Sequence, residues 1–319
     1  MRVGIEVGGT FTDLVMSDGK NIKTAKVPST PASPDEGAML AIKAAGLKLD
    51  EISELIHGST VATNAVLERK GGRVCFFVTR GTKDVLLIQR HDRDAIYDLQ
   101  YQKPRPVVPR HDTYEIDERI AANGDIVTDL DSEVASTLVK DIFEKEKFDS
   151  VAICFLHSYL NSIHERALSD IISALYPGMP ITCSSDVARE FREYERASTT
   201  TLAAYVQPVV AGYISRFSEE LATRGFQGKF SIMQSNGGRM PAAAITKNSI
   251  TALFSGPAAG VVGAIRGKGS TPYPDLITLD MGGTSTDVAL VSNDQAELAP
   301  MTKIDGLPVK TPVVDIVTV

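Results

Sequence analysis

Residues 4–17 read GIEVGGTFTDLVMS and residues 279–292 read LDMGGTSTDVALVS. No other feature constrains the chain as strongly. An acid-x-Gly-Gly-Thr-x-Thr-Asp core followed by an apolar run occurs twice, near opposite ends of 319 residues, and each copy reads as a strand–turn–strand junction. Gly8-Gly9 and Gly282-Gly283 lack Cβ atoms, so the backbone can turn tightly and bring N–H groups against an anion. Thr10, Thr12, Thr284, Ser285 and Thr286 add short hydroxyl donors that suit phosphate oxygens. The carboxylates Glu6, Asp13, Asp280 and Asp287 cannot hold phosphate directly. Beside such a cradle they imply a divalent cation, Mg2+ bound through waters, and a means of orienting an attacking group. Two structural turns would also use the glycines, but they have no need of repeated hydroxyls and acids. Neither copy fits GxxxxGK[ST] or GxGxxG, which disfavours the P-loop and dinucleotide-binding readings.

Between the copies, short β-branched runs alternate with helical stretches, which predicts an α/β protein with mixed sheets. Strands are expected at Arg2 to Val7, Leu14 to Ser17, Leu55 to His57, Val74 to Thr79, Val151 to Leu156, Ile181 to Cys183, Phe230 to Gln234 and Leu276 to Met281. Helices are expected over Pro34 to Gly46, Val61 to Arg69, Ser132 to Lys145 with Asp131 as N-cap, and Ile163 to Leu175. A helical zone from Asp186 to Thr223 is expected to break near Pro208. The pattern loosens between Asp92 and Thr128. The expected division is 1–190 for a first domain with the first phosphate motif and 191–319 for the start of a second. The net charge of −7 and the lack of a basic patch exclude a nucleic-acid or anionic-membrane surface. No run reaches membrane-span length, and the N-terminus has no signal-peptide pattern. Three scattered cysteines fit buried thiols in a reducing cytoplasm better than disulfides.

Longer motifs carry a resemblance. HGSTVATNAVLERKG (57–71), LHSYLNSIHE (156–165), EFREYERASTT (190–200), QSNGG (234–238) and SGPAAGVVGA (255–264), together with both Gly-Gly-Thr motifs, span nearly the whole chain. They resemble the hydantoinase A/5-oxoprolinase family, which includes N-methylhydantoinase subunits and a subunit of acetone carboxylase, within the actin/Hsp70/sugar-kinase superfamily. The resemblance implies an actin/Hsp70-like ATPase fold whose RNase-H-like lobes have mixed sheets flanked by helices. It implies ATP and Mg2+ as cofactors and a cyclic amide as substrate, activated by phosphorylation of its carbonyl oxygen. It also implies a second hydantoinase B-type subunit or domain and an oligomeric, cytoplasmic enzyme. Asp13, Asp280 and Asp287 would be the catalytic acids, and Glu6, Asp13 and Asp280 the metal-holding ones. Position 6 is Glu where the family usually has Asp. The chain also ends before the family's glycine-rich adenosine segment, so the second domain is expected to be incomplete.

Two alternatives stay open at this stage. A small-molecule kinase of the same fold would leave a stable phosphorylated product. An ATP-driven chaperone or reactivating factor would be stimulated by a protein and indifferent to amides. Among the remaining residues, His157 and His164 fit structural hydrogen bonding, and His57, before a helix N-terminus, is a candidate anion contact. The charged run Arg189 to Arg196 reads as a solvated helix face. The small-residue segment 255–264 fits either ordinary close packing or a helix linking hinged lobes.

Overall fold

The structure, a computed structural model, describes residues 1–30, 33–90, 92–93, 95–269, 271–281 and 286–318. It begins with the antiparallel strands β1 (Arg2–Val7), β2 (Phe11–Ser17) and β3 (Ile22–Pro28), followed by helix α1 (Pro34–Ala44), strand β4 (Glu54–Ser59) and helix α2 (Val61–Leu67). Then come β5 (Val74–Thr79), β6 (Thr113–Ile116), α3 (Ser132–Lys145), β7 (Ser150–Cys154), α4 (Ile163–Leu175), β8 (Ile181–Cys183) and the long α5 (Glu193–Thr223). The chain continues through β9 (Lys229–Met233), β10 (Arg239–Pro241), α6 (Ser255–Gly267), β11 (Leu276–Met281), β12 (Thr286–Ser292), β13 (Gln295–Ala296) and β14 (Ile316–Thr318).

These elements form two compact units, interleaved in sequence. One comprises residues 1–64, 209–300 and 312–319, the other residues 65–208 and 301–311. The division at 190/191 expected from sequence orders the chain linearly; the spatial units change over at 64/65, 208/209, 300/301 and 311/312, the second of these within α5.

The first unit holds a six-stranded mixed sheet in the order β10-β9-β4-β1-β2-β3, with β4 parallel to both β1 and β9. Alternation along β1 buries Val3, Ile5 and Val7 beneath α1, where they meet Leu14, Ile42, Leu55 and Phe217. Glu6 therefore points away from that core. A smaller sheet in the same unit pairs β11 with β12, and β12 with β13 and β14. The second unit is built on a four-stranded parallel sheet, β8-β7-β5-β6. Its central strand β5 is buried along its whole length, as expected for a parallel strand covered on both faces. Asp131 caps α3 by accepting from the N–H groups of Glu133 and Val134. All three cysteines are buried and unpaired.

Helix α5 does not break at Pro208. Proline has no N–H, so the carbonyl of Ala204, one turn earlier, loses its helical donor. The Ser150 hydroxyl takes that place, donating to Ala204 O at 2.7 Å, while the Gly72 N–H donates to Tyr205 O at 2.9 Å. With the Ala204 carbonyl satisfied from β7 and that of Tyr205 from the loop before β5, the helix continues to Thr223. Ser150→Ala should leave a buried carbonyl unpaired and cost about 1–3 kcal/mol in urea-unfolding free energy. A loss below about 0.5 kcal/mol would show that this bond does not sustain the helix.

The charged run Arg189 to Arg196 is a solvated face only in part: Arg189, Glu190, Arg192 and Glu193 are exposed. Glu195 and Arg196 are buried; Arg196 Nη2 donates to Phe155 O at 2.5 Å, and its guanidinium lies over the Tyr159 ring.

Candidate functional site

The two Gly-Gly-Thr-x-Thr-Asp copies form two antiparallel hairpins with one register. In the first, Glu6 is opposite Asp13 and Val7 opposite Thr12; in the second, Asp280 is opposite Asp287 and Met281 opposite Thr286. The repetition in sequence is thus a repetition of which acids face each other across a turn. Gly282, Gly283, Thr284 and Ser285 lie outside the described residues.

The first turn is tied down from behind. The Gly8 N–H donates to Phe11 O at 3.1 Å, the Ser29 hydroxyl donates to Gly8 O at 2.7 Å, and the Ser29 N–H donates to Thr10 O at 2.9 Å. A side chain at Gly8 would press on Phe11 O, which explains the glycine. Gly9 and Thr10 face solvent at the tip. Thr12 turns inward: it is fully buried, and its hydroxyl lies 3.2 Å from that of Ser29. In this structure, then, Thr12 braces the turn from the inside while Thr10 faces solvent.

Glu6 is the focus of the acids. Burial, then the negative charges of Asp13 and Asp280, push its carboxyl up to about 7. Its two oxygens occupy a slot between Gly58, in β4, and Gly256, in the first turn of α6. A methyl group at Gly58 would overlap Oε2, and one at Gly256 would overlap Oε1. Neither glycine was singled out in the sequence, although both lie in the motifs that carry the resemblance. Asp13 is ion-paired with Lys26 across β2 and β3, at 2.8 Å and 3.0 Å. Asp287 accepts from the Thr318 hydroxyl at 2.7 Å. Asp280 and Asp287 line a groove of about 430 Å3 with Pro257 and Gly260 of α6. Thr286 is half-buried beside them.

Among the described residues no three His, Cys, Asp or Glu side chains are close enough to bind a metal directly. Burial first, and the charges of Asp13 and Asp280 after it, keep Glu6 about half protonated near neutrality, with Lys26 as the basic side chain paired to Asp13. The donor set of these acids, oxygen only and in excess of its counter-charge, fits a hard cation held through waters.

His57 is not part of this surface. It is fully buried against Phe217 and Phe230, with Nδ1 3.2 Å from Ile5 O and Nε2 2.5 Å from the Tyr213 hydroxyl; burial brings its pKa down to about 4. His164 is likewise structural, set between Glu118 at 2.7 Å and Asp129 at 3.1 Å.

Residues 2–176 match the hydantoinase/oxoprolinase N-terminal region, and residues 196–319 match the hydantoinase/oxoprolinase family. The chain belongs to the hydantoinase/oxoprolinase family. An uncharacterised protein of Methanocaldococcus jannaschii is 38% identical over all of this chain and 49% of its own length. Caprolactamase subunit alpha of Pseudomonas jessenii is 34% identical, over 91% of this chain and 43% of that subunit. The crystal structure of the ATP-dependent caprolactamase from that organism superposes with a TM-score of 0.88 at 31% identity, covering all of this chain and 48% of that one. Nucleotide-free acetone carboxylase superposes with a TM-score of 0.85 at 27% identity, over all of this chain and 48% of that one. The chain spans about half the length of the relatives it matches. Its fold is the α/β actin/Hsp70-like ATPase fold, with sheets flanked by helices, the six-stranded one mixed and the four-stranded one parallel. Among the described residues no helix is long and apolar enough to cross a membrane.

Proposed function

We propose that this hydantoinase/oxoprolinase chain supplies the Mg-ATP site of a cytoplasmic, ATP-dependent hydrolase of cyclic amides such as a hydantoin or 5-oxoproline. It would act in an oligomer with a second, hydantoinase B-type subunit or domain. The observation that carries the reading is the matched register of the two hairpins, with Glu6, Asp13 and Asp280 close enough to act on one another's charge. The family relationship and the ATP-dependent caprolactamase likeness support the substrate class.

The phosphates would be held by the backbone N–H of Gly9 and the N–H groups of Gly282-Gly283, with hydroxyls from Thr10, Thr284, Ser285 and Thr286. Gly8 gives its own N–H to Phe11 O and keeps the turn free of a side chain. Thr12 supports the first loop from behind. Glu6, Asp13 and Asp280, with Asp287, are the groups that would hold Mg2+ and its waters; the ion supplies neutralisation of phosphate charge. An amide carbonyl is a poor electrophile. Transfer of the γ-phosphoryl group to its oxygen, with release of ADP, would activate the carbon. Water would add there, and the tetrahedral adduct would break its ring C–N bond to give a free amine and an open-chain acyl phosphate. A second water would release phosphate and the carboxylate. The chain's share of that work is positioning and electrostatic stabilisation. Asp13 and Asp287, paired with Lys26 and Thr318 in this structure, would give up those partners to hold the ion's waters.

The test is calorimetric titration of Mg-ATP into the protein, alongside Asp280→Ala. Binding that disappears in the variant supports the assignment; equal binding by both overturns it. A second reading, ATP-dependent carboxylation of a ketone, is favoured by the likeness to acetone carboxylase. Product analysis in the presence of the partner subunit separates them, since one opens a ring and the other fixes a carboxylate.

A further inference from the structure

The second unit contains a cavity of about 460 Å3 that the proposed phosphate chemistry does not use. Three stretches of chain wall it: Gln89, Arg90, Asp92, Tyr101, Lys103 and Pro104 from the first, the segment from Arg192 into the start of α5, and residues 301–308. Its charge is unbalanced. Arg90 donates through Nε at 3.0 Å and through Nη2 at 2.5 Å to the two oxygens of Glu195, so that buried carboxylate and its arginine cancel. Lys103 donates to the carbonyls of Ile88 and Arg90, each at 2.6 Å, which fixes its ammonium without neutralising it. Among the described residues Arg192 and Lys303 make no ion pair, and Asp92 is the remaining carboxylate in the wall. Glu193 reaches Arg90 from outside the wall, at 3.4 Å, and still leaves the cations in excess.

The backbone is strained at the same place. Gln89 has φ 56° and ψ −140°, and Arg192 has φ 77°. Both are non-glycine residues in the left-handed half of conformational space, at a cost on the order of 1–3 kcal/mol each. Gln89 is locked there by its side-chain amide, which donates to Pro104 O at 2.6 Å. Two strained residues from separate segments thus border one cavity, with surplus positive charge at its exposed side and the buried Tyr194 and Pro308 at its inner side. A volume of this size accepts a small molecule rather than a single ion.

We propose that this cavity binds a small organic anion, its carboxylate or phosphate group taken by Arg192 and Lys303 and its apolar body set against Tyr194 and Pro308. The site is separate from the phosphate hairpins and does not depend on their assignment. The experiment is calorimetric titration with two probes, succinate for the carboxylate arm and glycerol 3-phosphate for the phosphate arm. Wild-type protein is compared with Lys303→Glu, Arg192→Glu and Asp280→Ala. Both charge reversals fall at exposed positions, and circular dichroism with urea unfolding verifies that each variant folds. At least one probe is expected to bind saturably at one site per chain. Its affinity should fall roughly tenfold or more in either charge reversal and stay unchanged in Asp280→Ala. Saturable binding by neither probe, or equal binding by wild type and both charge reversals, overturns the proposal.

Discussion

Gly256→Ala is expected to weaken Mg-ATP binding by roughly tenfold or more while leaving the protein folded. The added methyl group would occupy the space of Glu6 Oε1, and Gly58→Ala would do the same to Oε2. In each case the obstacle is the end of a flexible side chain, so the fold yields by moving the Glu6 carboxylate rather than by shifting backbone. Gly256 also lies in the first turn of α6, where alanine raises helix propensity by up to about 1 kcal/mol. Urea unfolding should therefore report unchanged or increased stability alongside the lost affinity. Because the defect is one of length, Gly256→Ala combined with Glu6→Asp should recover much of the binding, since the shorter acid retreats from the new methyl group. Wild-type affinity in the single variant, or no recovery in the double, would remove Glu6 and its slot from the nucleotide site.

That slot shows where sequence reading stops. The hairpins were legible because their signals are local: glycines for the turn, β-branched runs for the strands, and repeated acids and hydroxyls. Even the inward turn of Thr12 has a local sign, since strand alternation places it on the same face as Leu14. The grip on Glu6 has no such sign, because Gly58 and Gly256 reach it only through the parallel pairing of β1 with β4 and the docking of α6. Pro208 misleads for a related reason. The residue that rescues its helix, Ser150, belongs to a distant strand. Strand β3 was missed because its polar, lysine-bearing sequence is mostly exposed, and β6 because it is short and follows the proline-rich stretch 103–109. Expecting a solvated face at Arg189 to Arg196 counted charges without asking where they point. Glu195 and Arg196 turn inward, one to Arg90 and the other to a strand-end carbonyl.

The protein without divalent cations should lose stability as pH rises through 7, and Glu6 should be the cause. Its carboxyl titrates at about 7 in the folded protein, against an ordinary value of 4.5 in the unfolded chain. Between these values the folded state holds a proton that the unfolded state has released. The stabilisation from that proton is complete below about 4.5 and is lost as pH rises toward and past 7. A shift of this size corresponds to about 3 kcal/mol. Urea unfolding in EDTA should therefore give a higher stability at pH 5.5 than at pH 8, and Glu6→Gln should flatten most of that difference. A cation bound by Glu6, Asp13 and Asp280 reverses the balance, because it favours the ionised acid. Titrating Mg-ATP near pH 6.5 should then release protons, read as heats that differ between buffers of different ionisation enthalpy. Glu6→Gln should abolish that release. Proton release that persists in Glu6→Gln would assign it to another acid, and a wild-type stability that is level between pH 5.5 and 8 would mean that Glu6 is already ionised without its cation.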